Sequence, residues 1–327
     1  MKLATQRTDN IDGRLIVVSK DMQRAVNASR ISTTMQDAIE RWDTVHEDLE
    51  QLSQKLNAGE EPEAFDFNPR EMDAPLPRAW QWLDGSAFPS HANLMTTAFG
   101  ISPLQQERPL MYQGMSHHFA GPCDEIVLPS SNDGIDFEGE LGIVTSQVPM
   151  GVEPNDAAGL IRLVVLINDW SLRVTGAEEM KTGFGWLQAK PACSMAALAL
   201  TPDEFGPAWA DGRLDLVMNV ELNGQPFGAV RSTEMMFGFP ELIAHAAATR
   251  YLCAGTILGS GTVSSNSYKE MGSCCIAEKR AIEIIENGEP TTKFMEFGDV
   301  VRINATDLQG RQSFFGEIHQ RVTRLNR

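Results

Sequence analysis

A chain of 327 residues, 42% hydrophobic and 22% charged, is long enough to bury a sizeable core without a disulfide framework. Its 27 Lys and Arg against 44 Asp and Glu leave a net charge of -17, which argues against nucleic acid or an anionic membrane as partner because each requires a positive surface. A small anionic ligand is still compatible where a bound cation reverses the local potential.

The five cysteines, Cys123, Cys193, Cys253, Cys274 and Cys275, form no CxxC pair and no ligand spacing with histidine, so free thiols in a reducing, cytoplasmic setting are expected. The polar N-terminus carries no apolar signal segment, and no apolar run is long enough for a membrane helix.

Taken in chain order, Arg14 to Ser19 reads as a short strand, with a second ending near Val26. Met35, Ile39, Trp42, Val45, Leu49, Leu52 and Leu56 then recur at helical spacing, so one amphipathic helix is expected from Thr34 to Gly59. The acid- and proline-rich stretch from Glu60 to Pro77 reads as a linker, which divides the chain into a small N-terminal domain, 1–76, and a main body, 77–327. In that body, short apolar segments punctuated by Gly, Asn and Pro favour a mixed α/β, β-rich fold.

Asp84 falls in a Gly- and Pro-containing segment that reads as a loop. Ile135 to Gln147 is expected as one alternating strand, and Leu163 to Ile167 as a buried central strand. A hairpin should turn at Asn223 and Gly224, and a helix should begin at Pro240 with Leu242, Ile243, Ala246 and Leu252 as its stripe. Cys274 to Ile285 reads as a strand pair, Gly288 as a turn, and Val300 to Ile303 as a strand. No GxGxxG or GxxxxGK[ST] loop supports a nucleotide cofactor.

The sequence Asp136-Phe137-Glu138-Gly139-Glu140-Leu141 carries the most chemistry. On a strand, Glu138 and Glu140 share a face, where two carboxylates repel unless water, an arginine or a cation compensates. A solvated edge strand and a ligand pair both satisfy that pattern. Asp169 closes the apolar run ending Ile167-Asn168, a position suited either to a site or to capping the next turn.

Five ordered motifs resemble the fumarylacetoacetate hydrolase family over about residues 80–325: Asp84 with His91, the Asp136 to Leu141 segment, Asn168-Asp169-Trp170-Ser171-Leu172-Arg173, Gln188-Ala189-Lys190-Pro191, and Gly259-Ser260-Gly261-Thr262-Val263. The resemblance implies a rolled β-sheet fold, usually a homodimer, with Asp84, Glu138, Glu140 and Asp169 holding Mg²⁺, or alternatively Ca²⁺ or Mn²⁺. It also implies His91 as general base, Glu278 as the acid that orients it, Lys190 as a catalytic cation, and Tyr112 and Thr262 as substrate contacts.

Two positions depart from the family pattern, with Gly100 where the family has an arginine and Gly176 where it has a glutamine. The expected activity is metal-dependent hydrolysis of a carbon-carbon bond in a small 1,3-dicarbonyl acid such as fumarylacetoacetate or an acylpyruvate, in aromatic-compound catabolism. A decarboxylase or isomerase of the same fold, or a non-catalytic metal-stabilised binding protein, are the alternatives. Arg173 is expected to brace nearby carboxylates, and His117 and His118 to sit in a plain loop or to contact an anionic substrate.

Overall fold

The computed structural model describes residues 1–100 and 107–326. Its architecture is mixed α/β and β-rich, built on an eleven-stranded sheet and a five-stranded sheet among the described residues. The strand Ile161–Asn168 lies in the middle of the larger sheet, and its residues Leu163 to Ile167 are all fully buried. Removing each of those side chains from water contributes about 1.5–3 kcal/mol, which explains why an uninterrupted apolar run rather than an alternating one occupies this position.

Strand Lys2–Gln6 pairs with Leu198–Leu200, which in turn meets Ile161–Asn168. The N-terminal strands and the acid-bearing strands therefore belong to one sheet. Beyond Ile161–Asn168 the order runs Gly139–Thr145, Ile257–Gly259, Trp82–Gly85 and Met111–Gly114. Among the described residues no helix is long and apolar enough to cross a membrane.

Several local expectations need correction. The segment expected as a strand pair at Cys274 to Ile285 is the helix Ile276–Asn287. Ile276, Ala277, Ala281 and Ile282 are buried at helical spacing, and Asp136 accepts the N–H groups of Ile276 (2.7 Å) and Ala277 (2.9 Å). Those are donors that a helix cannot satisfy from within its own first turn.

The N-terminal helix is two helices, Met35–Glu40 and Trp42–Ala58, separated at Arg41, whose φ of -108° breaks the run. Residues Ile135 to Gln147 form two separate strands, Ile135–Asp136 and Gly139–Thr145, in different sheets. The helix at Pro240 spans Phe239–Ala246, and Leu252 instead bridges Val148. The hairpin turns as expected, with Asn223 and Gly224 both at positive φ, 53° and 74°.

Candidate metal centre and active site

Neighbouring strands bring the acids to one end of the sheet. Asp84, expected in a loop, lies in strand Trp82–Gly85, paired with Tyr112 on one side and Gly259 on the other. Glu140 lies in Gly139–Thr145 opposite Ile167, and Asp169 follows the end of Ile161–Asn168. One carboxylate oxygen from each of Asp84, Glu140 and Asp169 lies within 4.8 Å of the others, and all three residues are buried.

Gly259 makes that approach possible. A β-carbon there would overlap the Asp84 carboxylate and the Trp82 ring. Gly261, at a φ of 76°, turns the backbone so that its N–H donates to Asp84 Oδ1 at 3.3 Å. Replacing Gly259 with Ala is expected to weaken Mg²⁺ affinity about tenfold, equivalent to ~1.4 kcal/mol, with a further ~1–3 kcal/mol of lost stability from overpacking. Titration calorimetry and thermal melts measure the two effects, and an unchanged Mg²⁺ affinity in G259A would remove Gly259 from this role.

The acids differ sharply in their partners. Asp169 Oδ2 accepts from Lys190 Nζ (2.6 Å) and Tyr112 Oη (2.8 Å), and its Oδ1 accepts from Cys193 Sγ (2.9 Å). Among the described residues, neither buried oxygen of Glu140 has a hydrogen-bond donor to accept from. Burial first, then the charges of Asp84, Asp169 and Glu138, holds the Glu140 carboxyl well above its ordinary range. Burial and Asp169 raise Asp84 likewise, against the opposing charge of Lys190.

A buried carboxylate without a donor for either oxygen, beside two further acids, is strongly unfavourable unless a proton or a cation joins it, and a cation can serve all three acids at once. An all-oxygen donor set of this kind suits a hard divalent ion such as Mg²⁺, Mn²⁺ or Ca²⁺. The residues present therefore fit a metal.

Glu138 adjoins this group, its charge acting on Asp84 and Glu140, but it has more partners of its own. It precedes strand Gly139–Thr145, bridging Cys275 rather than extending the strand with Glu140. Its carboxylate accepts from Thr262 Oγ1 (2.9 Å) and Ser171 Oγ (3.1 Å) and pairs with Arg173 (2.5 Å) and Lys190 (3.5 Å). Burial works to raise its pKa, but Arg173 and Lys190 prevail and hold it well below the usual carboxylate range. Arg173 also binds Asp136 at 2.8 Å, so it braces two carboxylates as expected.

His91 and Glu278 meet through the first turns of two packed helices, Pro89–Phe99 and Ile276–Asn287. His91 Nδ1 lies 2.9 Å from Glu278 Oε2, and Ser273 Oγ donates to the other Glu278 oxygen at 3.0 Å. Glu278 is fully buried, whereas His91 retains some exposure. His117 and His118 are exposed.

Gly100 ends the His91 helix in the left-handed region at a φ of 62°, where a residue with a β-carbon would be strained. Gly176 is buried in the helix Arg173–Met180. Sequence reasoning missed Cys193 and Trp186 at the site. The only local sign of Trp186 was an aromatic residue four positions before Lys190 in a glycine-containing segment.

A family model described as Fumarylacetoacetate (FAA) hydrolase C-terminal matches residues 81–323, and one described as Fumarylacetoacetase N-terminal domain 2 matches residues 1–78. The chain is 29% identical to the 2,4-didehydro-3-deoxy-L-rhamnonate hydrolase of Sphingomonas sp. (strain SKA58) over 163 residues, 49% of this chain and 54% of that protein. It is 25% identical to the mitochondrial oxaloacetate tautomerase Fahd2a of Rattus norvegicus over 159 residues, 48% of each chain. The chain thus spans about half the length of these two curated relatives.

Among solved structures, the maleylpyruvate hydrolase from Sphingobium sp. SYK-6, in complex with manganese(II) ion and pyruvate, superposes with a TM-score of 0.66 at 17% identity. That alignment covers 100% of both chains and shows a shared fold.

Proposed function

The chain belongs to the fumarylacetoacetate hydrolase family, and from that premise we propose that it hydrolyses a carbon-carbon bond in a small 1,3-dicarbonyl acid of the acylpyruvate type. The buried Glu140 carboxylate, with no donor among the described residues and facing Asp84 and Asp169, carries the proposal. Those three acids would hold the divalent cation. When bound, the ion supplies Lewis-acid polarisation of a chelated carbonyl. Glu138, expected as a fourth ligand, adjoins those acids and also holds Lys190, Arg173 and Thr262 in place.

His91 is the general base. Its Nδ1 lies 2.9 Å from the buried Glu278 carboxylate, which favours the tautomer protonated at Nδ1, and the Nε2 lone pair of that tautomer takes a proton from water. That water adds to the acyl carbonyl, and scission of the adjacent carbon-carbon bond yields a carboxylic acid and an enolate. Lys190 faces the enolate as a full cation: burial opposes its charge, but Asp169 and Glu138 prevail and raise its pKa. Burial and then the Asp169 charge raise the pKa of Tyr112 well above its ordinary value, so its hydroxyl stays protonated as a donor. Protonation of the enolate then gives a 2-oxo acid.

The tautomerase relative favours a second reading, in which the same groups shift a proton without cleaving carbon. Incubating the Mg²⁺-loaded protein with acylpyruvates and weighing the products decides between them. Hydrolysis gives two fragments whose masses sum to substrate plus water, tautomerisation leaves the mass unchanged, and loss of CO₂ marks decarboxylation. The hydrolytic reading is abandoned if no acylpyruvate yields the two fragments. A homodimer belongs to the same proposal and is checked by light scattering on the eluting protein.

A further inference from the structure

The segment between the helix Arg173–Met180 and Lys190 brings to the acid cluster an aromatic group that none of these steps uses. The Glu179 carboxylate accepts the N–H groups of Leu187 (2.9 Å), Gln188 (2.8 Å) and Ala189 (3.1 Å), folding the segment back onto its own helix. Gly183 and Gly185, at φ of 74° and 92°, permit the reversal. Trp186 is thereby set edge-on against Tyr112, with ring centroids 4.9 Å apart and an interplanar angle of 85°. Lys190 Nζ lies 5.7 Å from the Trp186 ring and 5.3 Å from that of Tyr112.

Since Tyr112 and Lys190 both bind Asp169, the indole lies one residue removed from the acid cluster. Gly176 leaves room for it: a β-carbon at that position would stand 3.8 Å from Trp186 Nε1 and 3.4 Å from the Ala189 β-carbon. Any longer side chain there would compete with the indole. Lys190 and Arg173, the cations that pair with the site's acids, are both engaged by carboxylates. Neither Lys190 nor Arg173 therefore offers an uncommitted charge to a second acid group, whereas Trp186 and Tyr112 offer aromatic surface beside Lys190.

We propose that Trp186 is a specificity-determining residue that holds the distal acyl group of the substrate against its indole and the Tyr112 ring. It thereby selects aryl or bulky apolar acyl groups over those ending in a second carboxylate. This rests on the reading of the substrate as a 2-oxo acid bound at the metal centre.

The test uses two ligands that lack the cleavable bond, 2-oxo-4-phenylbutanoate and 2-oxoadipate, titrated calorimetrically into the Mg²⁺-loaded protein. Wild type should bind the phenyl ligand about tenfold more tightly, on the scale of aromatic packing in a confined site. W186A should lose that preference through the phenyl ligand alone, and W186F should restore most of it. With benzoylpyruvate as substrate, W186A should raise KM while leaving kcat nearly unchanged.

Equal affinities in wild type, an unaltered ratio in W186A, or failure of both ligands to bind would overturn the proposal. If the binding preference follows Trp186 but benzoylpyruvate is not cleaved, the hydrolytic reading fails alone. If benzoylpyruvate is cleaved without any such preference, the role of Trp186 fails alone.

Discussion

Glu140→Gln should raise the Tm of the chelator-treated protein and at the same time abolish its stabilisation by Mg²⁺. In the metal-free state, at a pH above the raised value at which Glu140 gives up its proton, the substitution removes one of several mutually repelling buried charges, and the new amide can donate to the Asp84 or Asp169 carboxylates beside it. With the metal it deletes a ligand. At a free Mg²⁺ concentration of about 100 times Kd, binding to the folded state alone is worth ~2.7 kcal/mol. For a chain of 327 residues the midpoint moves by ~1.5 °C per kcal/mol, so the wild-type melt should shift upward by roughly 4 °C.

The pH dependence follows from the same acids. Asp84 and Glu140 have folded-state pKa values raised above the ordinary 3.8 and 4.5, chiefly by burial. In the chelated protein their contribution to stability is complete below those ordinary values and is lost as pH rises through the folded-state values. Mg²⁺ competes with the same protons, so its affinity should strengthen as pH rises. Melts with and without Mg²⁺ across a pH series measure both trends. An undiminished Mg²⁺ shift in E140Q, or a wild-type melt indifferent to chelation, would remove the three-acid centre.

His91→Ala should lower kcat by about 10²- to 10⁴-fold, the usual yield of a positioned general base. Its melt should still respond to Mg²⁺, because His91 lies outside the group of close acids. Glu278→Ala should also slow turnover, since Glu278 orients the imidazole through the 2.9 Å contact to Nδ1. The double variant should then be scarcely slower than H91A, because two residues that act as one unit give non-additive losses. Steady-state kinetics on the acylpyruvate turned over best by wild type provide the measurement. Turnover by H91A within about threefold of wild type would exclude the base role, being far short of that expected loss.

Much of this site was legible residue by residue. The apolar run Leu163 to Ile167 announced a buried strand, and Asp169 beyond its end suited either a site or a cap of the next turn; its approach to Asp84 and Glu140 came from the fold. The Glu138-Gly139-Glu140 spacing flagged a pair of acids, although only one of them joins the group of close carboxylates. The helix Ile276–Asn287 escaped because its buried residues also suit a strand, and because one of its caps is Asp136, 140 positions away in sequence. Glu278 owes its position to that helix, so its contact with His91 could not be read from local spacing.

What the sequence determined by itself was the inventory and its order: a β-rich body, an excess of acids, and motif residues from Asp84 to Thr262 in a recognisable series. These are properties of local pattern and of composition. The tertiary structure decided which acids converge, because strand order and register place Gly259 next to Asp84 and so let three carboxylates approach one another. It also decided that Glu138 is paired with Arg173, Lys190 and Thr262 whereas Glu140, among the described residues, has no donor. That difference depends on side chains distant in sequence meeting in a low-dielectric interior, where pairing or its absence sets the charge each acid can carry.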